Sequence, residues 1–329
     1  MSRLDEVLEG ARQAALDACW EQWIALQSQH ARWRSVGKAE SLGPPDTPRA
    51  MVDPEALVLA SLALRTDELR LDDMLLWIAE ESNLLSTQRI AALLRDQPAG
   101  IGRDLAWFAA RCRVGDARWT RLAEGASDER RGRPGKSMPT LSLQRDAAFV
   151  LRMRSGLGVG IKADVIALLT GLRSAANQHA GGVSVADLVA ILGYSSAATR
   201  QAVEQMARAG FVDRIESRPA RYRIGSMSPG FVVRDAHAPG HLLAPPWGYA
   251  AQAFAILIAC DRLARDARIA EASATVQASR LRDLYERFAP YWSWFDSPPI
   301  DAVRHPGERF LDAFRLTLEP LVRWVKERL

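Results

Sequence analysis

The sequence has few cysteines, and they do not form a recognisable site. Cys19, Cys112 and Cys260 lie far apart along the chain, and no two of them have the spacing of a metal-binding pair. An odd and sparse set of cysteines is typical of proteins from a reducing compartment. We therefore expect a cytoplasmic protein.

Catalytic and cofactor-binding motifs are also lacking. None of the five histidines pairs with Cys, Asp or Glu at a helical metal spacing, and the weak cluster of Asp235, His237 and His241 lies in a predicted loop. There is no Walker-type loop and no Gly-x-Ser-x-Gly motif, and the glycines of residues 156–160 lack the strand and helix of a dinucleotide site. We expect no enzymatic activity, no catalytic residue, no metal and no cofactor.

Long hydrophobic segments are absent as well. The first six residues contain no apolar core of a signal peptide. The longest apolar run, residues 249–260, is too short to cross a bilayer. A hydrophobic content of 48% and a charged content of 25% are typical of soluble globular proteins. We therefore expect no membrane association, and 329 residues suffice for two or three domains.

Lysine is scarce, so arginine supplies most of the positive charge. The net charge is +4 and the sequence pI is about 9.2. Arginine suits the recognition of phosphates and bases. A genome rich in G and C produces the same composition, so the charge alone does not assign a function.

Residues 161–224 have the pattern of three helices followed by a β-hairpin. Ser184 and Asp187 can form a capping box, Gly193 can end a helix in the left-handed conformation, and Ser195 can cap the next helix. The predicted helices and strands cover, in order, residues 161–172, 183–192, 195–210, 211–216 and 220–224.

This order of elements resembles the winged helix-turn-helix DNA-binding domain of MarR- and ArsR-like transcriptional regulators. The resemblance implies that the helix starting at Ser195 enters the major groove, where Arg200 can donate to guanine and Gln201 to adenine. It also implies that the hairpin, or wing, contacts the DNA backbone or the minor groove. The implied DNA-contacting residues are Ser195, Ser196, Ala197, Thr199, Arg200 and Gln201 on the helix, and Arg214, Arg218, Arg221 and Arg223 on the wing. Thr199 also falls on the predicted buried stripe, with Val203 and Met206.

Residues 125–145 are polar, rich in Gly and Pro, and locally basic, which predicts a linker. Within them, residues 130–136 (Arg-Arg-Gly-Arg-Pro-Gly-Lys) are similar to an AT-hook core, whose Gly-Arg-Pro lies in the minor groove of A·T-rich DNA. A general phosphate-contacting linker and a solvated loop are the alternatives. In the DNA-binding interpretations, Arg131, Arg133 and Lys136 contact the DNA.

We predict a mainly α protein in which helical N- and C-terminal domains flank a central winged helix-turn-helix with a small β-hairpin. The first helix is expected over residues 4–36, and the last over 305–328 with an interruption at Pro320.

The aromatic run 291–295 is predicted to be a packed corner between helices, with a ligand or partner pocket as the alternative. The predicted domains are residues 1–124, the linker 125–145, the winged domain 146–228 and the C-terminal domain 229–329. Within the first domain, residues 54–96 are expected to form a three-helix bundle, with a degenerate second helix-turn-helix as the alternative.

The function expected from these features is DNA binding in transcriptional regulation. A homodimer is expected, through the first helix or the C-terminal helices, because one winged domain reads few base pairs. The alternative is a protein-interaction scaffold of a defence or antitoxin-like complex, since Glu204, Asp213 and Glu216 dilute the basic face. A weaker candidate is a nuclease, because Arg173 and His179 have a spacing similar to that of HEPN ribonucleases; a connecting loop is the favoured interpretation of that segment.

Overall fold

The computed structural model describes residues 3–27, 51–97, 100–112, 116–126, 140–174, 181–225, 249–301 and 304–329. This part of the chain is mainly helical with one small antiparallel sheet, as the sequence predicts. Its α-helices are, in chain order, α1 (Arg3–Leu26), α2 (Pro54–Leu64), α3 (Arg70–Glu80), α4 (Thr87–Leu93), α5 (Ile101–Ala109), α6 (Ala117–Thr120), α7 (Phe149–Leu157), α8 (Ile161–Ser174), α9 (Val185–Leu192), α10 (Ser196–Arg208), α11 (Tyr249–Arg265), α12 (Ala267–Ala270), α13 (Ala274–Arg287) and α14 (Arg309–Arg328). Its strands are β1 (Val183–Ser184), β2 (Val212–Ile215) and β3 (Arg221–Ile224).

Helices α1–α6 and α11–α14 share one hydrophobic core, and we call them the helical body. Helix α1 packs along α11 and α14, and α2 packs on α11. Most buried apolar side chains between Leu8 and Trp119 and between Ala250 and Leu329 belong to a single cluster. The structure therefore differs from the predicted pair of separate helical domains. The reason is that α11 and α14 cover the apolar faces of α1 and α2, which periodicity alone cannot reveal.

Helix α1 is shorter than the predicted helix over residues 4–36. It ends at Leu26, and Gln27 forms an isolated antiparallel bridge with Leu141; residues 28–50 lie outside the described part. The indole nitrogen of Trp23 donates to the Ser61 hydroxyl at 2.9 Å, which ties α1 to α2. The apolar face of α1 is thus used within its own chain.

The C-terminal helix α14 runs without a break through Pro320, so the predicted interruption is wrong. A proline removes the N–H that would bond the carbonyl four residues earlier, here that of Leu316. Leu316 lies on the solvent side, 55% exposed, where water can satisfy that carbonyl. On the opposite side, buried Leu318 and Leu321 hold the helix on the core.

The aromatic run 291–295 is a packed corner between helices, as predicted. Trp292 stacks on Tyr285 of α13 with ring centroids 5.6 Å apart, and it meets Phe314 of α14 edge-on at 5.8 Å. Its indole nitrogen donates to the main-chain oxygen of Tyr285 at 3.0 Å. These contacts place the cluster in the core rather than on an open pocket.

A second hydrophobic core is formed by α8, α9, α10 and the sheet, and we call residues 161–225 the helix–sheet unit. The strand order is β1-β3-β2 and both pairings are antiparallel. Val183 and Ser184 form β1 instead of the predicted first turn of a helix, because they pair with Tyr222 and Arg221 of β3. Helix α7 joins the two cores, since Leu151 packs in the helical body and Phe149 in the helix–sheet unit.

Candidate nucleic-acid interface

The two ends of α9 and the start of α10 are set by the caps that the sequence predicts. The Ser184 hydroxyl accepts from the Asp187 N–H at 3.2 Å, and the Asp187 carboxylate accepts from the Ser184 N–H at 3.0 Å. Gly193 ends α9 with φ +75°, in the left-handed region that favours glycine. Ser195 caps α10, because its hydroxyl accepts from the Ala198 N–H at 3.3 Å.

Helix α10 separates its residues into a buried stripe and an exposed face. Thr199, Val203 and Met206 are buried, as predicted, and Ala202 lies with them. The predicted contact residues that are exposed at the start of the helix are Ser195, Ser196, Ala197, Arg200 and Gln201.

Thr199 is the exception among the predicted helix contacts. Its side chain is 0% exposed, and its hydroxyl donates to the main-chain oxygen of Ser195 at 2.9 Å. A buried hydroxyl in an intrahelical bond offers nothing to a ligand on the surface. We therefore remove Thr199 from the contact residues; its position on the apolar stripe of α10 is the physical reason.

The hairpin does not bring its four exposed arginines to one side. Arg214 is paired across the sheet with Tyr222, whereas Arg223 is paired with Asp213 and Arg221 with Ile215. Residues paired across a sheet share a face, and neighbours along a strand alternate. Arg221 and Arg223 therefore lie on the face opposite to Arg214. Arg218 lies in the turn between β2 and β3.

Three of these arginines already have partners. Arg221 donates to the main-chain oxygen of Gly182 at 3.0 Å, the Arg223 guanidinium lies 3.4 Å from the Asp213 carboxylate, and Arg214 lies 3.6 Å from Glu216. The ion pairs of Arg223 and Arg214 are exposed, and exposed ion pairs are weak, so either arginine can bind another anion instead. Within the described residues, neither Arg200 nor Arg218 has an ion-pair partner.

Arg131, Arg133 and Lys136 lie outside the described residues, as do His179, His237 and His241. Only the main chain of Arg173 is described, at the end of α8. Among the described residues no group of His, Cys, Asp and Glu is arranged to hold a metal ion.

Sequence reasoning missed a buried ion network between the helical body and the helix–sheet unit. Its charged members, Asp53, Glu55, Arg89, Arg154 and Asp164, have side chains with no solvent exposure. Arg154 of α7 pairs with Glu55 of α2, and its Nε donates to Asp164 of α8 at 2.7 Å. Arg89 of α4 pairs with Asp53, just before α2, and lies 3.5 Å from Glu55. The sequence signal for this network is Arg89, a charged residue on the apolar face of α4.

The electrostatics of the network follow from its burial. Burial and, to a smaller extent, the neighbouring Asp53 carboxylate raise the pKa of Glu55 against the lowering effect of Arg154 and Arg89. Burial acts to lower the pKa of Arg154, but the carboxylates of Glu55 and Asp164 outweigh it and raise that pKa well above its usual value. Burial and the Asp164 carboxylate raise the pKa of Tyr194, so its hydroxyl stays protonated and donates to Asp164 at 2.7 Å. Because all these groups are closed to solvent, the network joins parts of the protein and does not bind a substrate.

The position of α4 argues against the alternative of a second helix-turn-helix in residues 54–96. The hydroxyl of Ser86, the N-cap of α4, lies 3.3 Å from that of Tyr194, and both side chains are buried. Arg89, in the first turn of α4, is also buried. The start of this helix therefore faces the helix–sheet unit and is not available to DNA.

Burial also sets the state of the three cysteines. Cys19, Cys112 and Cys260 are all buried and unpaired. Desolvation raises the pKa of each thiol, which keeps it protonated and poorly reactive.

Comparison with known proteins finds no relative of this chain. No protein-family model, no curated protein and no solved structure matches it. In the described part of the chain, none of the helices combines the length and the hydropathy needed to cross a membrane.

Proposed function

We propose that the chain binds double-stranded DNA through the N-terminus of α10 and the turn of the β2–β3 hairpin, and that residues 161–225 are a winged helix-turn-helix domain. One observation carries the proposal. Arg200 and Gln201 project from the exposed first turns of α10, while Val203 and Met206 on its other side are buried in the core. The element order of the unit, with β1 added to the predicted hairpin, supports the same conclusion.

The exposed end of α10 has the groups needed for both phosphates and bases. The first N–H groups of a helix have no partner within the helix, and together with the helix dipole they attract phosphate. Ser196 and Ala197 occupy that position and are small enough to allow close approach. Arg200 can donate two hydrogen bonds to guanine, and the Gln201 amide can pair with adenine.

The hairpin contributes contacts to the DNA backbone. Arg218 is the strongest candidate, because it lies in the turn and has no ion-pair partner among the described residues. Arg221 and Arg223 are secondary candidates, since Gly182 and Asp213 already hold them. Arg214 lies on the opposite face of the hairpin from Arg221 and Arg223, so it can contact only DNA that lies on that side.

We also propose that the protein acts as a homodimeric transcriptional regulator in the cytoplasm. One winged domain contacts few base pairs, and two half-sites raise specificity. Because α11 and α14 cover the apolar face of α1, the C-terminal helices are the better candidates for dimer contacts. Leu316 of α14 and Val276 of α13 are exposed apolar side chains on these helices.

A protein-interaction scaffold remains the second candidate function, because the same surface carries acidic groups. Glu204 is exposed on α10. Two acidic residues, Asp213 and Glu216, pair with arginines of the hairpin. A scaffold would use this mixed surface to contact a protein and would not bind duplex DNA.

Selection from a pool of randomised DNA duplexes tests the proposal. We expect the wild-type protein to enrich a sequence motif and the Arg200→Ala variant to lose the preference at one or two of its positions. Arg103→Ala is the matched control, because Arg103 is an exposed arginine on α5 of the helical body. Failure of the wild-type protein to retain any duplex would overturn DNA binding and favour the scaffold.

A further inference from the structure

The end of α9 is completed by a side chain from the helical body. Nη1 of Arg89 donates to the main-chain oxygens of Ile191 at 3.3 Å and Leu192 at 2.8 Å. The last carbonyls of a helix have no partner within it, and a cation there interacts favourably with the helix dipole. Arg89 therefore stabilises the point at which α9 turns into α10.

The next residues of the turn are held by the same network. Tyr194 is buried, and its hydroxyl donates to Asp164 of α8 at 2.7 Å and lies 3.3 Å from that of Ser86. Helix α4 also lies directly on Gly193, because a Cβ added there would be 3.0 Å from the Cβ of Ala92. Thus α4 and α8 together fix the segment immediately before the cap of α10.

The network connects this turn to the rest of the helical body. The Asp53 carboxylate pairs with Arg89 and also caps α2, since it accepts from the Ala56 N–H at 3.1 Å. Glu55 accepts from the Ser86 N–H at 2.8 Å and pairs with Arg154 of α7. The charged groups of α2, α4, α7 and α8 are therefore linked without a gap.

We propose that Arg89 and Tyr194 are positioning residues, which lock the α9–α10 turn to the helical body and so fix the direction in which α10 faces DNA. This inference rests on the proposed function. Neither residue contacts DNA, because both are buried. If the C-terminal helices form the dimer, this lock sets the separation of the two α10 helices and hence the spacing of the DNA half-sites.

Hydrogen exchange of the DNA-free protein tests the lock directly. Arg89→Met removes the donor with a side chain of similar length, and Tyr194→Phe removes only the hydroxyl. We expect the amides of Gly193, Ala198 and Thr199 to exchange at least about tenfold faster in Arg89→Met and to a smaller extent in Tyr194→Phe. Arg89→Lys keeps the positive charge but not the planar guanidinium with its several N–H donors. Its exchange rates at the turn should therefore lie between those of Arg89→Met and the wild type.

Leu321→Ala is the control for a merely structural effect. Leu321 is buried in α14, outside the network, so its loss destabilises the helical body without touching the turn. It should not accelerate exchange at the turn selectively. Unchanged exchange at the turn in both Arg89→Met and Tyr194→Phe would overturn the lock, whether or not the protein binds DNA.

A selection with two half-sites at varied spacing tests the consequence for DNA. The wild-type protein should prefer one spacing, Arg89→Met should accept several, and Leu321→Ala should keep the wild-type preference. Equal preference in the wild type and Arg89→Met would overturn the positioning role. If the wild type retains no duplex, the proposed function fails and hydrogen exchange alone decides on the lock.

Discussion

Arg89 of α4 donates a hydrogen bond of 2.8 Å to the main-chain oxygen of Leu192, although the two residues lie 103 positions apart. The helix before the proposed recognition helix is thus capped by a side chain of the helical body. The same guanidinium pairs with Asp53, and neither side chain is exposed. Arg89 therefore joins the helix–sheet unit to the helical body, and its charge and that of Asp53 are each buried beside the other.

Arg89 and Asp53 should stabilise the folded protein as a coupled pair. Replacing Arg89 by Met should lower the free energy of unfolding by about 3–5 kcal/mol, because Asp53 is left charged and buried. Adding Asp53→Asn should recover about 0.5–3 kcal/mol, since it removes the unpaired charge and keeps a side chain that can cap α2. Urea denaturation of the single and double variants measures the coupling. Additive losses would show that the pair is not coupled.

The close approach of α4 to Gly193 should make a side chain at that position unfavourable. Gly193→Ala should lower the free energy of unfolding by about 1–2 kcal/mol, because φ is +75° and the new Cβ would press on Ala92. Gly10→Ala is the matched control: Gly10 is exposed within α1 and nothing lies within 4 Å of an added Cβ. That change should raise stability by about 0.5–1 kcal/mol. If Gly193→Ala and Gly10→Ala changed the stability measured by thermal unfolding equally, the proposed strain at Gly193 would be contradicted.

Pro320, which lies inside α14, should lower the stability of that helix. Pro320→Ala should raise the free energy of unfolding by about 1–3 kcal/mol, because it restores the N–H that bonds the carbonyl of Leu316. Leu316→Ala is a suitable comparison, since this exposed side chain should contribute little. A loss of stability in Pro320→Ala would mean that the proline fixes a geometry that α14 needs.

The stability of the protein should depend on pH through the buried Glu55. The pKa of Glu55 is raised above its ordinary value of 4.5 by burial, so the native protein holds this proton more tightly than the unfolded chain. The stability that this contributes is fully present below pH 4.5 and is lost as the pH rises through the native pKa. The difference in unfolding free energy between the wild type and Glu55→Gln should therefore fall as the pH rises above 4.5.

Urea denaturation at a series of pH values measures this difference. Glu80→Gln is the control, because Glu80 is exposed at the end of α3. The change with pH should be larger for Glu55→Gln than for this exposed variant. A difference for Glu55→Gln that stays flat or grows with pH would contradict the raised pKa.

Local features of the fold were predictable because local sequence determines them. The capping box of Ser184 and Asp187, the left-handed Gly193, the Ser195 cap and the buried stripe of α10 all follow from spacing and residue type. The exposed face with Arg200 follows from the same periodicity. These predictions are confirmed where the residues are described.

The long-range arrangement was not predictable from periodicity. A helical pattern shows which face of α1 is apolar, but not that α11 and α14, more than two hundred positions away, cover it. The hairpin register, which puts Arg214 on the face opposite to Arg221, depends on pairing that strand propensity does not fix. One signal was present: Arg89 lies on the same helix face as Ile90 and Leu93, where a charge needs a buried partner.

The binding of a fluorescently labelled DNA duplex over a series of salt concentrations is the decisive test of the DNA interface. The affinity of the wild type should fall steeply with salt, because phosphate contacts release counterions, and Arg218→Ala should lower the salt slope by about one. Arg103→Ala should leave both affinity and slope unchanged. Absence of saturable binding by the wild type at low salt, or identical slopes for Arg218→Ala and the wild type, would contradict the proposed DNA interface.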